Sequence, residues 1–386
     1  MGAPDGRILL VPAESGGLWL LQPEAGGGAL RWFGPARPLQ ASPAATGPAA
    51  TDPGRAVGAC GDHAVLLTEE DDQLVSLIVA PPEGAGAAPR SAELGRAPAL
   101  GPLSGASVAC LPAADPTGEA ALLVGLPGAR AGAGAVYRWT IGQTPAPILL
   151  GPTAGQLLGG TTIAGHDLNG DGLDDLAVSA WGAMNNAGAV WLIDGPLPPI
   201  PADVPDRRYF SRIDGDVAGF ALAYAGDTDG DGYGELLVGA HGADHRGWSA
   251  GAAYLVDPRG RGPLDRAQAT FLGDAANDRA GWSVAGGADV NNDGRADLII
   301  GAPGVDSGAA EAGAVFLRLG GERGVFVLSP ASALRAGPSQ QAQLGEAVAL
   351  LPADGGLAFG RARRAPPGTA ETPALTRLQP ALTPRR

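Results

Sequence analysis

Apolar residues in this chain fall in short runs that end at glycine or another small residue, with polar residues returning at fixed places between them. Three runs stand out: Leu176-Ala-Val-Ser, Leu236-Leu-Val-Gly and Leu298-Ile-Ile-Gly. They are too short for helices and rich in branched side chains, so they read as buried strands. Ahead of each stands a glycine-led strand: Gly160-Thr-Thr-Ile-Ala, Gly219-Phe-Ala-Leu-Ala and Gly281-Trp-Ser-Val-Ala. After each comes a loop containing glycine and then a third strand: Ala187-Gly-Ala-Val-Trp-Leu-Ile, Ala250-Gly-Ala-Ala-Tyr-Leu-Val and Ala312-Gly-Ala-Val-Phe-Leu. A fourth, outer segment reads at Arg208-Tyr-Phe-Ser and at Ala269-Thr-Phe-Leu-Gly. Four strands per unit is the size of a propeller blade.

The polar residues between the first and second strands obey one rule, D-x-[DN]-x-D-G-x-x-[DE]. The first copy holds Asp167, Asn169, Asp171 and Asp175, the second Asp227, Asp229, Asp231 and Glu235, the third Asp289, Asn291, Asp293 and Asp297. Side-chain oxygens at positions one, three and five can converge on one point, and the glycine at six permits the turn that brings position nine to it. Position seven, held by Leu173, Tyr233 and Arg295, is counted with them. Two carboxylates about 5 Å apart repel by roughly 3 kcal/mol at an effective dielectric near 20, so each loop calls for a hard cation. The expectation is about three Ca²⁺ ions. For a single copy a solvated acidic turn is the alternative; three copies in one register favour the cage. EF-hands are excluded, because position twelve is Val178, Val238 or Ile300 where that loop needs a bidentate Glu.

The loops start at Asp167, Asp227 and Asp289, a period of about sixty residues that calls for a repeat architecture. Degenerate copies carry it further. Ser107-Val-Ala-Cys110 leads to Leu122-Leu-Val-Gly and Gly134-Ala-Val-Tyr, and cage-less versions stand at Arg55-Ala-Val-Gly and Glu346-Ala-Val-Ala-Leu. Asp5-Gly-Arg-Ile-Leu-Leu-Val-Pro12 begins a unit in the middle, so the first is incomplete. The units expected are 1–40, 55–90, 104–143, 158–200, 217–262, 279–320 and 343–381. The fold class expected is all-β: one domain, a closed seven-bladed β-propeller of four-stranded antiparallel blades with Ca²⁺-binding hairpin loops.

These residues resemble the FG-GAP repeat, which forms the N-terminal β-propeller of integrin α chains and occurs in bacterial surface or secreted proteins. Gly219-Phe220 matches the FG element, Gly301-Ala302-Pro303 the GAP element, and the three acidic loops the family's Ca²⁺ loops. The resemblance is strongest over 158–320 and departs at Trp181 and His241, where the proline of GAP is missing. It implies adhesion or recognition, with the GAP side taking part in ligand binding.

Composition narrows the function. A net charge of −14 argues against nucleic acid and anionic membranes as partners. No apolar run is long enough to span a bilayer. The basic residues are all Arg, and Ala, Gly and Pro are abundant, which fits a GC-rich bacterial genome. Cys60 and Cys110 stand in different units and read as two small buried hydrophobes rather than a disulfide. Calcium affinity of about 10⁻⁴ to 10⁻³ M suits an extracellular or cell-surface module, whereas the first residues lack the pattern of a secretory signal. A start upstream of Met1 would reconcile the two; a ring closed by a C-terminal strand near Ala374–Leu378 is the alternative account of the first unit.

The loop after the second strand opens on the face opposite the acidic loops. There it offers Trp181 in one unit, His241, Asp244, His245 and Trp248 in the next, and Asp306 in the third. Exposed Trp and His anchor interfaces, so a protein or glycan partner is expected on this face, with inter-blade packing of Trp181 and Trp248 as the competing reading. His241, His245 and Asp244 form a weaker candidate for a transition metal. H-E-x-x-H, P-loop and paired-cysteine motifs are absent. A non-enzymatic recognition module is therefore expected, with a polysaccharide-active lyase or hydrolase, or a scaffold in a secreted assembly, as alternatives.

Overall fold

The structure, a computed structural model, describes the backbone and side chains of residues 106–111, 121–139, 145–197 and 202–350, and elsewhere the backbone of the strands. Among the described residues the chain is all-β. Its described strands form seven sheets whose first three or four strands pair antiparallel, and the fourth and fifth sheets each add a fifth strand in parallel, Gly262–Pro263 and Gly324–Leu328. The fourth sheet runs Leu158–His166, Asp175–Ala180, Ala189–Ile193 and Arg207–Phe210. The fifth repeats it with Ala221–Gly226, Glu235–Ala240, Ala252–Val256 and Ala269–Gly273. The sixth has Ser283–Ala288, Asp297–Ala302, Ala314–Arg318 and Arg335–Ala336.

The apolar runs form the second strand of these sheets, and every residue of all three is buried. Burial on both faces explains why they read as continuous rather than alternating. Each core lies between two sheets: Val190, Leu192 and Tyr209 of the fourth pack on Leu222, Val238 and Tyr254 of the fifth, and Leu237 and Phe271 of the fifth on Ile300 and Phe316 of the sixth. Full burial of Phe271 and Phe316 stabilises by about 2–3 kcal/mol each.

Neighbouring sheets are also clipped through backbone. Val217, at φ 56° despite its β-branched side chain, donates its N–H to Asn186 O at 2.8 Å; Arg279 to Ser249 O and Gln343 to Glu311 O repeat the clip in the next two sheets. The glycine of each Ala-Gly-Ala element permits the approach. A Cβ on Gly188 would lie 2.2 Å from Ala218 O. The first strands follow one another side by side. Leu9–Pro12 lies beside Ala56–Cys60, then come Ser107–Leu111, Leu158–His166, Ala221–Gly226, Ser283–Ala288 and Ala347–Leu351, and the last again lies beside Leu9–Pro12.

Three expectations change. The outer strands Ala146–Leu150, Arg207–Phe210, Ala269–Gly273 and Arg335–Ala336 lie past the unit ends at 143, 200, 262 and 320, because a proline-containing connection separates each from the third strand of its sheet. The C-terminal strand Thr376–Leu378 pairs with Gly356–Gly360 inside the seventh sheet, not with the first. Cys110 is disulfide-bonded rather than a free buried hydrophobe, and the chain's one other cysteine, at position 60, ends the strand that lies against its own. The Cys60 side chain is outside the described residues.

Candidate functional site

Each acidic loop joins a first strand to a second and is tied by its own amides. In the first, Asp167 Oδ1 accepts from the N–H groups of Gly170 and Asp171, and Oδ2 from that of Gly172 at 2.8 Å. Asp171 N–H also reaches Asn169 Oδ1, and Leu173 N–H reaches Asp171 Oδ1. The second loop repeats this with Asp227, Asp229 and Asp231, the third with Asp289, Asn291 and Asp293. These short Asx bonds explain why Asp, Asn and Gly are required at those places. Gly172, Gly232 and Gly294 at position six all have φ between 86° and 89°, where a side chain is strained.

Position nine is the first residue of the second strand and is buried in all three copies: Asp175, Glu235 and Asp297. Asp175 Oδ2 accepts from Leu168 N–H and Oδ1 from Gly195 N–H, so it ties the loop to the end of the third strand. Asp297 does the same with Val290 and Gly320. Glu235 differs. Its Oε2 accepts from Thr228 N–H and Oγ1–H, while its buried Oε1 has no hydrogen-bond partner. Burial pushes all three carboxyls above their ordinary range, the bonds from backbone or Thr228 opposing it.

Asp227, Asp229 and Glu235 bring one ligand oxygen each to within 4.8 Å of one another. That convergence, with the orphaned Glu235 oxygen, fits a divalent cation. Leu173 and Arg295 have no side-chain oxygen, so position seven can serve only through its main-chain carbonyl.

The loops of the opposite face start about 17 Å away, the length of a six-residue strand. Of the residues expected there, two hold their own loops: Asp244 Oδ1 accepts from Ser249 N–H at 2.6 Å and Asp306 Oδ1 from Glu311 N–H at 2.8 Å. His245 Nε2 is 2.8 Å from Tyr254 Oη. His241 sits in an aromatic cluster, 4.3 Å from Phe220 and 4.7 Å from Trp282, with Trp181 edge-on to Phe220. The two histidines thus face different partners, and the transition-metal grouping with Asp244 does not form. Trp181 is half-buried; Trp248 is 72% exposed.

Phe220 and Trp282 were legible as the residue after the leading glycine but not as one cluster with His241. A further string, Gly247-Trp248-Ser249-Ala250-Gly251, has the G-x-S-x-G spacing of a hydrolase nucleophile. It lies between two antiparallel strands rather than between strand and helix. Ser249 at φ 48° is the counterpart of Asn186 and Glu311, which share its conformation and its clip, so its geometry belongs to the repeat.

No helix of the described residues is long and apolar enough to cross a membrane. A family model for the FG-GAP repeat matches residues 159–193 and 280–317, which include the first and third acidic loops. The chain is 36% identical over 120 residues to integrin alpha-IIb of Mus musculus, covering 30% of this chain and 11% of that one. It is 34% identical over 82 residues to integrin alpha-V of Gallus gallus, covering 20% and 8%. It is also 33% identical over 135 residues to phosphatidylinositol-glycan-specific phospholipase D of Rattus norvegicus, covering 33% and 16%. The chain thus spans at most 16% of the length of these curated relatives. The chain thus carries FG-GAP repeat sequence at 159–193 and 280–317 and is similar over part of its length to integrin alpha chains.

Proposed function

We propose that the chain is a seven-bladed β-propeller that holds Ca²⁺ in its three acidic loops and serves outside the cell or at its surface as an adhesion or recognition module for a protein or glycan. Supporting the ring is the succession of first strands, in which Ala347–Leu351 lies beside Leu9–Pro12. The observation that carries the calcium reading is the buried, unpartnered Glu235 Oε1 beside Asp227 and Asp229. Asp227, Asp229, Asp231, Glu235 and the Tyr233 carbonyl would hold one ion, with Asp167, Asn169, Asp171, Leu173 and Asp175, and Asp289, Asn291, Asp293, Arg295 and Asp297, as the other two sets. A bound cation would supply positive charge to carboxylates that otherwise repel and tie each loop to its strand. Extracellular placement agrees with the Cys110 disulfide, since disulfides persist in oxidising compartments.

Recognition is assigned to the face opposite the acidic loops, with Trp248 as its open aromatic and Trp181, His241, Asp244, His245 and Asp306 around it. Similarity to integrin alpha chains supports it. The phospholipase relative keeps an enzymatic reading in view; an enzyme releases product from glycan or phospholipid where a binder only retains it.

Calorimetric titration tests the calcium reading. Three ions per chain are expected, with Asp171→Ala, Asp231→Ala and Asp293→Ala each removing one, and chelation lowering Tm because a ligand of the native state stabilises it. Unchanged stoichiometry in the triple variant refutes it.

A further inference from the structure

The three acidic loops share their frame of amide hydrogen bonds but not their surroundings. In the first and third, position three is an asparagine whose Nδ2 donates to the position-five carboxylate: Asn169 to Asp171 Oδ2 and Asn291 to Asp293 Oδ2, both at 2.9 Å. In the second, position three is Asp229, which has no such hydrogen to donate. At its ligand positions the second loop therefore carries a fourth carboxylate, and its position-five oxygen needs another partner.

Two guanidinium groups from outside the loop meet that surplus. Arg259 Nη2 donates to Asp231 Oδ2 at 2.5 Å, and Arg323 Nη2 to Asp229 Oδ2 at 2.6 Å. The other oxygen of each carboxylate accepts from the loop: Asp231 Oδ1 from Tyr233 N–H and Asp229 Oδ1 from Asp231 N–H. The arginines thus pair with two carboxylates of the loop, one of them, Asp229, in the converging group. Arg259 also has a place outside the loop. Its Nε and Nη2 reach the two oxygens of Asp257 at 2.9 Å, and its guanidinium lies 4.3 Å from the centre of the Tyr233 ring. It can give up Asp231 without losing its position. Arg323 is well exposed and can swing into water.

Charge orders the loops. Affinity for a hard cation rises with the number of ligand charges. At positions one, three, five and nine the first and third loops present three carboxylates each, with Asp174 beside them in the first and Arg295 in the third. The second presents four, but Asp231 and Asp229 are each paired with a guanidinium from outside the loop, which the first and third loops do not show among the described residues. Resting on the calcium reading, we propose that Arg259 and Arg323 are internal counter-ions that compete with divalent cation for the loop at 227–235, so that this site fills only at a higher cation concentration than the other two. Two sites then hold the fold together at low calcium, and the third responds to higher calcium.

Calcium titration of the full chain by calorimetry tests this, with Arg259→Gln/Arg323→Gln beside the wild type and Glu235→Gln to assign the site. The wild type should show two tighter sites and one weaker, and Glu235→Gln should remove the weaker. The double arginine variant should tighten that site about tenfold or more, or about 1.4 kcal/mol, making it the tightest of the three. Should the double variant fail to fold, Arg323→Gln, which alters an exposed side chain, should tighten the same site about threefold. A weak site of unchanged affinity in the arginine variants, or loss of a tight site in Glu235→Gln, overturns the proposal while leaving calcium binding intact. No calcium binding by the wild type removes the calcium reading itself, and this inference with it.

Discussion

The ring of Tyr233, at position seven of the second acidic loop, lies against Gly170, at position four of the first: a Cβ on Gly170 would come within 2.3 Å of Tyr233 Cε1. The next pair of loops is also joined. The nearest atom to a Cβ on Gly230 would be Arg295 Nε, at 3.7 Å, and Ala296 N–H donates to Asp227 O at 2.8 Å. Each loop thus rests on a residue of the one before, and the acidic loops form one connected row.

Two glycines of the first loop separate this contact from backbone strain. Gly170 and Gly172 have φ of 84° and 87°, so Ala at either costs roughly 1 kcal/mol through its backbone alone. A Cβ on Gly172 meets nothing within 4 Å. Gly170→Ala should therefore destabilise by about 1 kcal/mol more than Gly172→Ala in urea denaturation, and the excess should vanish in a Tyr233→Ser background. Equal losses, with no coupling in the double variant, would show that the ring does not hold the first loop.

Trp248 and Trp181 should behave oppositely. Trp248→Ala alters a side chain that is 72% exposed, so stability should change by no more than about 0.5 kcal/mol, whereas a partner docked on it should lose about 2 kcal/mol of binding, roughly thirtyfold. Trp181 packs edge-on to Phe220 at 6.3 Å, and Trp181→Ala should lower Tm. A partner that binds Trp248→Ala with unchanged affinity would move recognition elsewhere.

The sequence showed most where burial is symmetric and local. Leu236-Leu-Val-Gly is buried on both faces, and the acidic loops are closed by bonds spanning five residues or fewer, so spacing alone reveals both. The outer segments at Arg208 and Ala269 read as strands because they mix aromatics with β-branched or charged residues, whereas Arg335–Ala336 is hidden because it is only two residues long. Gly324–Leu328, which pairs in parallel with Ala269–Gly273 across the outer edge of the fifth sheet, is equally hidden, since its partner is remote in sequence. Arg323 reaches Asp229 over a separation of 94 residues, a contact no local pattern encodes. Position nine read as a ligand; its backbone bonds to Gly195 and Gly320 emerge only once the third strand is folded beside it.

Asp216 gives a pH signature independent of the acidic loops. It is buried, its Oδ2 accepts from Ser211 Oγ–H and its Oδ1 has no hydrogen-bond partner. Burial raises its carboxyl above 3.8, the Ser211 bond and the charge of His245 opposing. The folded state therefore binds the proton more tightly than the unfolded chain. The stability this group contributes is fully present below 3.8 and is lost as pH rises through the raised value. Asp216→Asn cannot titrate, so the stability of the variant relative to wild type should increase from pH 4 to pH 7. The other carboxyls, common to both proteins, largely cancel in that difference. A difference independent of pH would mean that Asp216 ionises in the fold as it does in water.

Cys110 sits at the joint between the second and third sheets. Its strand Ser107–Leu111 lies against Ala56–Cys60, and its disulfide can be made within the chain only to Cys60, the one other cysteine. That bond closes a loop of about fifty residues, for which the chain-entropy model gives about 4 kcal/mol of stabilisation. Cys110→Ser, or reduction of the wild type, should lower stability by about 2–4 kcal/mol, and the two should not add. Mass spectrometry under non-reducing digestion should find the peptides of Cys60 and Cys110 joined. Two free thiols in the purified, oxidised protein, or a Tm indifferent to reductant, would show that the joint is held by strand packing alone.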